Sequence, residues 1–416
     1  MNKKVFYNNR RKLLNRIKEN AIVVLFSGAA PKKSADERYK YTPNRNFYYL
    51  TGIDEENIAL VLTKINGEYD EKLFIKKPNL QLEKWIGRSI REDEAKDRSG
   101  VYSISYVEEL ENILHNYIST KDITIVYMDL EKDSFNSNKS YSEVFAETLK
   151  DRYPQIVIKN AYNMIADLRL VKSPEEIGEL KKAIEVTSLG IQELMKHARP
   201  GMKEYELEAY FDFICKSRGV RDFAFKTIAA SGVNGTILHY EKNNSVIEKD
   251  SLILFDLGAQ YNYYNADVTR TFPVSGVFTD RQKEVYNAVL RVNEKVIAAI
   301  KPGVSYLELN AQAKEWIAEE CIELGLIKDK AEVTNYYWHS IGHSLGLDTH
   351  DVGGRDIKFQ EGMVWTVEPG IYIEEEKIGI RIEDDILVTA EGAVNLTSGI
   401  VKTVEEIEAF MAERAQ

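Results

Sequence analysis

The sequence predicts an α/β domain over residues 1–165, followed by an α+β domain over residues 166–416 that contains an internal pseudo-twofold duplication. Three observations carry this. Short β-type apolar runs alternate with helical patterns through the N-terminal part. A strong helix start, Ser173-Pro174-Glu175-Glu176, follows them. Beyond it, the same order of long helix, Pro-Gly turn, second helix and strand pair occurs twice.

The strand-like runs of the first domain are Ala21–Phe26, Ile58–Thr63, Leu73–Ile75, Ile123–Tyr127 and Ile156–Ile158. The stretch Glu131–Ser142 is rich in Ser, Asn and Lys and reads as an exposed loop. At the domain boundary Ser173 caps free amides, Pro174 suits the first helical position and Glu176 completes a capping box. Ile177, Leu180, Ile184, Ile191 and Leu194 then recur at helical spacing. The duplication shows in the turns: Lys301-Pro302-Gly303 lies 102 residues after Arg199-Pro200-Gly201, and Glu308-Leu309 lies 102 after Glu206-Leu207. Each turn follows a long helix, Pro174–His197 or Asp280–Ile300. Each copy ends in a strand pair, Leu252–Ala259 with Tyr264–Phe272, and Val364–Ile373 with Ile378–Val388.

The bulk composition narrows the function classes. Hydrophobic residues make up 44% of the chain and charged residues 29%, the balance of a soluble globular protein. A net charge of −11 argues against nucleic acid or an anionic membrane as the main partner. The two cysteines, Cys215 and Cys321, sit in apolar helix-like stretches and read as buried reduced thiols rather than a disulfide. Lys3 and Lys4 are followed by no apolar segment. The longest apolar runs fall far short of the ~18 residues needed to span a bilayer. A cytoplasmic location is the expectation.

The chemistry points to the strand pairs. Asp256 and Asp267 lie in the first pair, Glu368 and Glu383 at matching places in the second, each among residues that read as buried strand. A buried carboxylate is costly unless a cation or hydrogen-bond donors compensate it. Four converging carboxylates repel one another, so two metal ions ~3.5–4 Å apart are the natural compensation. The chain has six histidines, and three of them, His339, His343 and His350, fall within one twelve-residue stretch. One imidazole with four carboxylates is an oxygen-rich donor set that suits Mn2+, Co2+ or Fe2+, and Zn2+ less distinctively.

Other motifs carry less. Gly342-His343-Ser344-Leu345-Gly346 matches a nucleophile elbow, but no acid-then-histidine order follows it at usable spacing. No Gly-Lys pair occurs, which removes the phosphate-cradling P-loop, and no His-Glu pair occurs, which removes the zinc helix. The aromatic residues, 10% of the chain, come without basic patches, so packing accounts for them better than stacking on bases.

In order and local context, Asp256, Asp267, His343, Glu368 and Glu383 resemble the ligand set of the pita-bread metallopeptidases, and within them aminopeptidase P, the Xaa-Pro aminopeptidases. Ser231-Gly232-Val233-Asn234-Gly235 through His239-Tyr240 resembles the family segment with a substrate-side histidine. Arg38-Tyr39-Lys40-Tyr41 and Asn44-Arg45-Asn46 through Gly52 resemble the N-terminal domain of aminopeptidase P and its relative prolidase. The resemblance implies two divalent ions, Mn2+ foremost, and cleavage of X-Pro-Y peptides after the first residue by a metal-bridging hydroxide. It implies that Glu368 moves the proton, that His239 and His350 bind substrate and steady the oxyanion, and that His339 lines the proline pocket. Arg381 and Tyr372 would hold the carboxylates from behind. A homodimer or homotetramer is implied, with Trp85, in Glu83-Lys84-Trp85-Ile86, reaching a neighbour's substrate site. Prolidase activity on X-Pro dipeptides is the alternative, and a non-catalytic binding protein of the same fold a remoter one.

Overall fold

Ala21–Phe26 is a run of six apolar residues, and it lies inside a six-stranded mixed sheet in the computed structural model of the chain. The structure describes residues 1–413. They fall into two compact units that divide between Arg169 and Leu170. The sheet belongs to the first unit. Its order is Ser103–Tyr106, Glu68–Ile75, Ala59–Ile65, Ala21–Phe26, Ile125–Met128, Val157–Asn160. Ala21–Phe26 runs antiparallel to Ala59–Ile65 and parallel to Ile125–Met128. A strand flanked on both edges and covered on both faces is apolar throughout rather than alternating, which is why this run stands out in sequence. Leu110, Leu114 and Ile118 of the helix Leu110–Thr120, with Ala146 and Leu149 of Tyr141–Arg152, pack on Ile22, Val24, Val61 and Phe74 of the sheet.

Two expectations shift here. The edge strand Ser103–Tyr106 was not expected; its residues are half-buried and show no alternation. The expected loop 131–142 ends two residues early, because the Ser140 side chain accepts from Glu143 N (3.2 Å) and starts the helix at Tyr141.

The second unit opens with the helix Pro174–His197, as expected, and Glu176 accepts from Ser173 N at 2.9 Å to close the capping box. The duplication is written in backbone hydrogen bonds. Gly201 N donates to Ile247 O, and Gly303 N to Phe359 O. Ile247 N returns to Met202 O, and Phe359 N to Val304 O. Both turn glycines sit at positive φ, 88° and 89°, where a side chain would be strained. The second helix of each copy then starts at an equivalent place, Glu204–Ser217 and Tyr306–Glu323.

The expected long strands are each broken in two. In the first copy Leu252–Leu257 pairs with Val268–Pro273, and Ala259–Tyr261 with Tyr264–Asn265. In the second, Val364–Val367 pairs with Asp384–Thr389, and Gly370–Ile373 with Ile378–Arg381. Gly258 marks the first break: a Cβ there would lie 1.8 Å from Ala266 O. Pro369, which has no N–H to give a ladder, marks the second. Both strand pairs therefore kink, and the candidate carboxylates sit at the kinks. Behind them Phe255 and Phe272 pack with Val285, Tyr286 and Val289 of the helix Asp280–Ala299. Cys215 and Cys321 lie in the same core as free thiols, each pushed up to about 12 chiefly by burial.

Candidate metal centre and active site

The kinks place the acids. Asp267 is the residue before the strand Val268–Pro273, and Glu383 the residue before Asp384–Thr389, so these two are equivalent. The other two are not, which corrects the expectation of matching places. Asp256 is the penultimate residue of its strand Leu252–Leu257, whereas Glu368 lies one past the end of Val364–Val367. The copies are stitched together beside them: Glu383 N donates to Thr269 O (3.1 Å), and the Thr271 hydroxyl to Arg381 O (3.1 Å). The Thr269 hydroxyl donates to Glu383 Oε2 at 2.7 Å.

All four acids and His343 line one cavity of about 730 Å³, together with His239, His339, His350 and Arg381. One oxygen or nitrogen from each of Asp267, His343 and Glu383 lies within 4.8 Å of the others, a group able to hold a metal ion. His343 Nε2 is 3.3 Å from Asp267 Oδ2 and 3.7 Å from Glu368 Oε1. Its Nδ1 faces Ser344 O at 3.1 Å. A carbonyl only accepts, so Nδ1 carries a proton and Nε2 is the nitrogen turned toward the cavity acids.

Arg381 holds the wall. Its Nη2 donates to Asp256 Oδ2 (2.6 Å), its Nε to the Thr269 hydroxyl (3.1 Å) and its Nη1 to the Tyr372 hydroxyl (3.1 Å). The Tyr372 hydroxyl lies 2.9 Å from His339 Nε2, and His339 Nδ1 faces Ser340 O at 2.9 Å. Nδ1 again donates to a carbonyl, so Nε2 accepts from Tyr372 and the ring is neutral. Burial first, then Arg381, depress the His339 pKa to about 3, which agrees. Burial also lowers His350, aided by His343, whose ring centroid is 4.2 Å away.

The acids are under electrostatic load. Burial above all, then Asp256, Asp385 and Glu368, raise Asp267 well above the usual carboxylate range. Burial, Asp267 and Glu368 do the same to Glu383. Burial raises Glu368, with His343 and Arg381 opposing it. Arg381 is one cation against four acids. Asp256 Oδ1 is buried and, among the described residues, has no hydrogen-bond partner. An orphaned carboxylate oxygen, three acids pushed toward protonation and an imidazole nitrogen aimed among them fit a divalent cation site.

Of the residues singled out in the sequence, ten line or border this cavity. Trp85 does not: it lies on the short helix Glu83–Ile86 of the N-terminal unit and is 87% exposed. Several supporting residues carried no motif. Thr269 and Thr366 are hydroxyls in apolar strands, and Thr366 Oγ1 accepts from His343 N at 3.0 Å. Asp385 Oδ2 accepts from Asp267 N at 3.3 Å. The run Glu383-Asp384-Asp385, three buried acids where a strand begins, was the available signal for Asp385.

Comparison with known proteins agrees with this geometry. Residues 178–390 match the description "Metallopeptidase family M24", and residues 6–127 match "Aminopeptidase P, N-terminal domain". The Xaa-Pro aminopeptidase of Escherichia coli K12 is 35% identical over 438 residues, covering 98% of this chain and 97% of that protein. A solved structure from Bacillus anthracis is 47% identical with a TM-score of 0.98, covering 100% and 99% of the two chains. The E. coli aminopeptidase P structure with the inhibitor Pro-Leu is 34% identical with a TM-score of 0.91, covering 99% and 98%. The duplicated, kinked strand pairs are the core of a pita-bread catalytic domain, and the chain belongs to metallopeptidase family M24, with the aminopeptidase P type of N-terminal domain.

Proposed function

We propose that the chain is a metal-dependent Xaa-Pro aminopeptidase, releasing the first residue from peptides with proline in second position. The observation that carries this is the cluster of buried, mutually repelling carboxylates open to one cavity with His343. Asp256, Asp267, His343, Glu368 and Glu383 are the residues that would hold two divalent ions, Mn2+ foremost, with Co2+, Fe2+ or Zn2+ as alternatives. Such ions supply a Lewis acid and lower the pKa of water so that hydroxide is available near neutrality.

The protein groups divide the remaining work. Glu368, with its pKa raised by burial, takes the proton from the attacking water and delivers it to the proline nitrogen as the bond breaks. His239 and His350 donate to the substrate carbonyl oxygen and steady the developing charge. His339, kept neutral and fixed through Tyr372, lines the pocket for the proline ring. Arg381 orients Asp256 directly and Glu383 through Thr269.

Other parts of the reading concern the setting. The chain works as a homodimer or homotetramer in which Trp85 reaches a neighbour's substrate site, and it acts in the cytoplasm. The exposure of Trp85 supports the first part. No described helix is long and apolar enough to cross a membrane.

The test is a metal-loaded assay on X-Pro-Y and X-Pro. Release of X from the longer peptide is expected. Cleavage of X-Pro alone would establish prolidase activity instead, and no cleavage of either by protein of full metal content would leave a binding protein. The match to an Xaa-Pro aminopeptidase along 98% of the chain favours the first outcome.

A further inference from the structure

Glu204 is a buried carboxylate that no step above uses. It is the first residue of the helix Glu204–Ser217 and is fully buried. Five donors end on it, and none of them is a cation. Ser231 N (2.8 Å), the Ser231 hydroxyl (2.7 Å) and Asn234 Nδ2 (2.9 Å) donate to Oε1. The Tyr240 hydroxyl (2.9 Å) and Ser245 N (2.9 Å) donate to Oε2. A carboxylate has about four lone-pair sites, so its acceptor capacity is filled. A fully satisfied buried group of this kind rigidifies what it touches.

All five donors belong to one segment, residues 231–245, and that segment carries His239 next to the anchored Tyr240. The opposite side of the segment is clamped as well: a Cβ on Gly379 would lie 2.0 Å from Gly235 O, so the loop packs directly on the strand Ile378–Arg381. The second copy repeats the device with different chemistry. Tyr306, 102 residues after Glu204, is likewise the first residue of its helix and is buried. Its hydroxyl donates to Gly342 O at 2.6 Å, beside His343.

We propose that Glu204 is a positioning residue of the peptidase reaction, fixing the 231–245 loop so that His239 faces the substrate, as Tyr306 fixes the chain at His343. This rests on His239 acting on the substrate, as proposed above. Glu204→Gln replaces one acceptor oxygen by a donor NH2 that meets donors already in place. The loop then loosens while the metal-site acids, which Glu204 does not touch, stay in place.

The experiment is a double-mutant cycle on X-Pro-Y cleavage, with metal content and KM measured for each protein. Glu204→Gln should lower kcat/KM about tenfold or more in the wild-type background, as expected for a small misplacement of a reacting group. It should cost less than about twofold in a His239→Ala background, since residues acting as a unit are non-additive. Metal content should not change. Equal losses in both backgrounds would overturn the proposal and leave the role of His239 standing. Wild-type activity in His239→Ala would overturn the role of His239 and the proposal with it. Tyr240→Phe removes one donor and leaves Glu204 four, so it should fold where Glu204→Gln does not. It should show the same background dependence with a loss of about threefold, and a background-independent loss there would equally overturn the proposal.

Discussion

Glu383 and Asp384 are chain neighbours, both buried, and the protein treats them in opposite ways. Asp384 accepts from Arg270 Nη2 (2.8 Å), Lys402 Nζ (2.8 Å) and the Thr397 hydroxyl (2.8 Å). Burial alone would raise it, but Arg270 and Lys402 outweigh burial and hold it below the usual carboxylate range. Glu383 points the other way along the strand, into the cavity. It receives one hydroxyl at 2.7 Å, and burial, then the acids around it, push its pKa up. Adjacent residues in extended chain face opposite sides, so one acid belongs to the core and the other to the site. Glu204 is a third case, satisfied by five neutral donors. The fold thus compensates Asp384 with cations and Glu204 with neutral donors, where structure is the purpose. It leaves Asp267, Glu368 and Glu383 short where a metal is to bind.

This contrast can be broken by substitution. Glu383→Gln should lower kcat/KM by at least ~10³-fold, because several kcal/mol of metal-derived stabilisation are lost. Bound metal, measured on the same protein, should fall with it. Near-normal activity with full metal content would separate Glu383 from the metal site. Asp384→Asn should act on the core instead, costing about 3–5 kcal/mol by stranding buried cations. Urea denaturation of metal-free protein should show the loss in full. If added metal erased the loss, Asp384 would belong to the site after all.

A smaller effect concerns pH. Asp267, Glu368 and Glu383 have raised values in the folded chain. Their unfolded values are about 4. The folded metal-free protein therefore holds protons that the unfolded chain has released, and its stability falls as pH rises from about 4 through the raised values. A bound cation removes that penalty. The gap in Tm between metal-loaded and metal-free protein should widen as pH rises from about 4 through the raised values. A gap that stays constant or narrows would contradict the assignment.

Much of this was legible in the sequence, for identifiable reasons. The helix Pro174–His197 has its cap, its proline and its apolar period in agreement, so nothing competes with the local signal. The Pro-Gly turns at Gly201 and Gly303 need positive φ, which makes a duplication visible through two short matches. The first kink was not legible. Leu257-Gly258-Ala259 reads as unbroken strand, and only the approach of Ala266 O, a tertiary contact, shows why the chain bends there. The acids and histidines of the site announced themselves by type and crowding. The neutral groups that hold them, Thr269, Thr366, Tyr240 and Tyr306, look like any strand or core residue until their partners are known. Glu204 reads in sequence as an ordinary first-turn helix acid, the commonest place for one.

The central claim is that the site acids, unlike Asp384, hold protons in place of a cation. Calorimetric titration of metal-free protein with Mn2+ at about pH 5, just above the ordinary carboxylate range, in two buffers of different ionisation enthalpy, measures this directly. Metal binding with net release of protons is predicted, because Asp267, Glu368 and Glu383 must ionise to become ligands. Binding without proton release, or no binding at all, would contradict it.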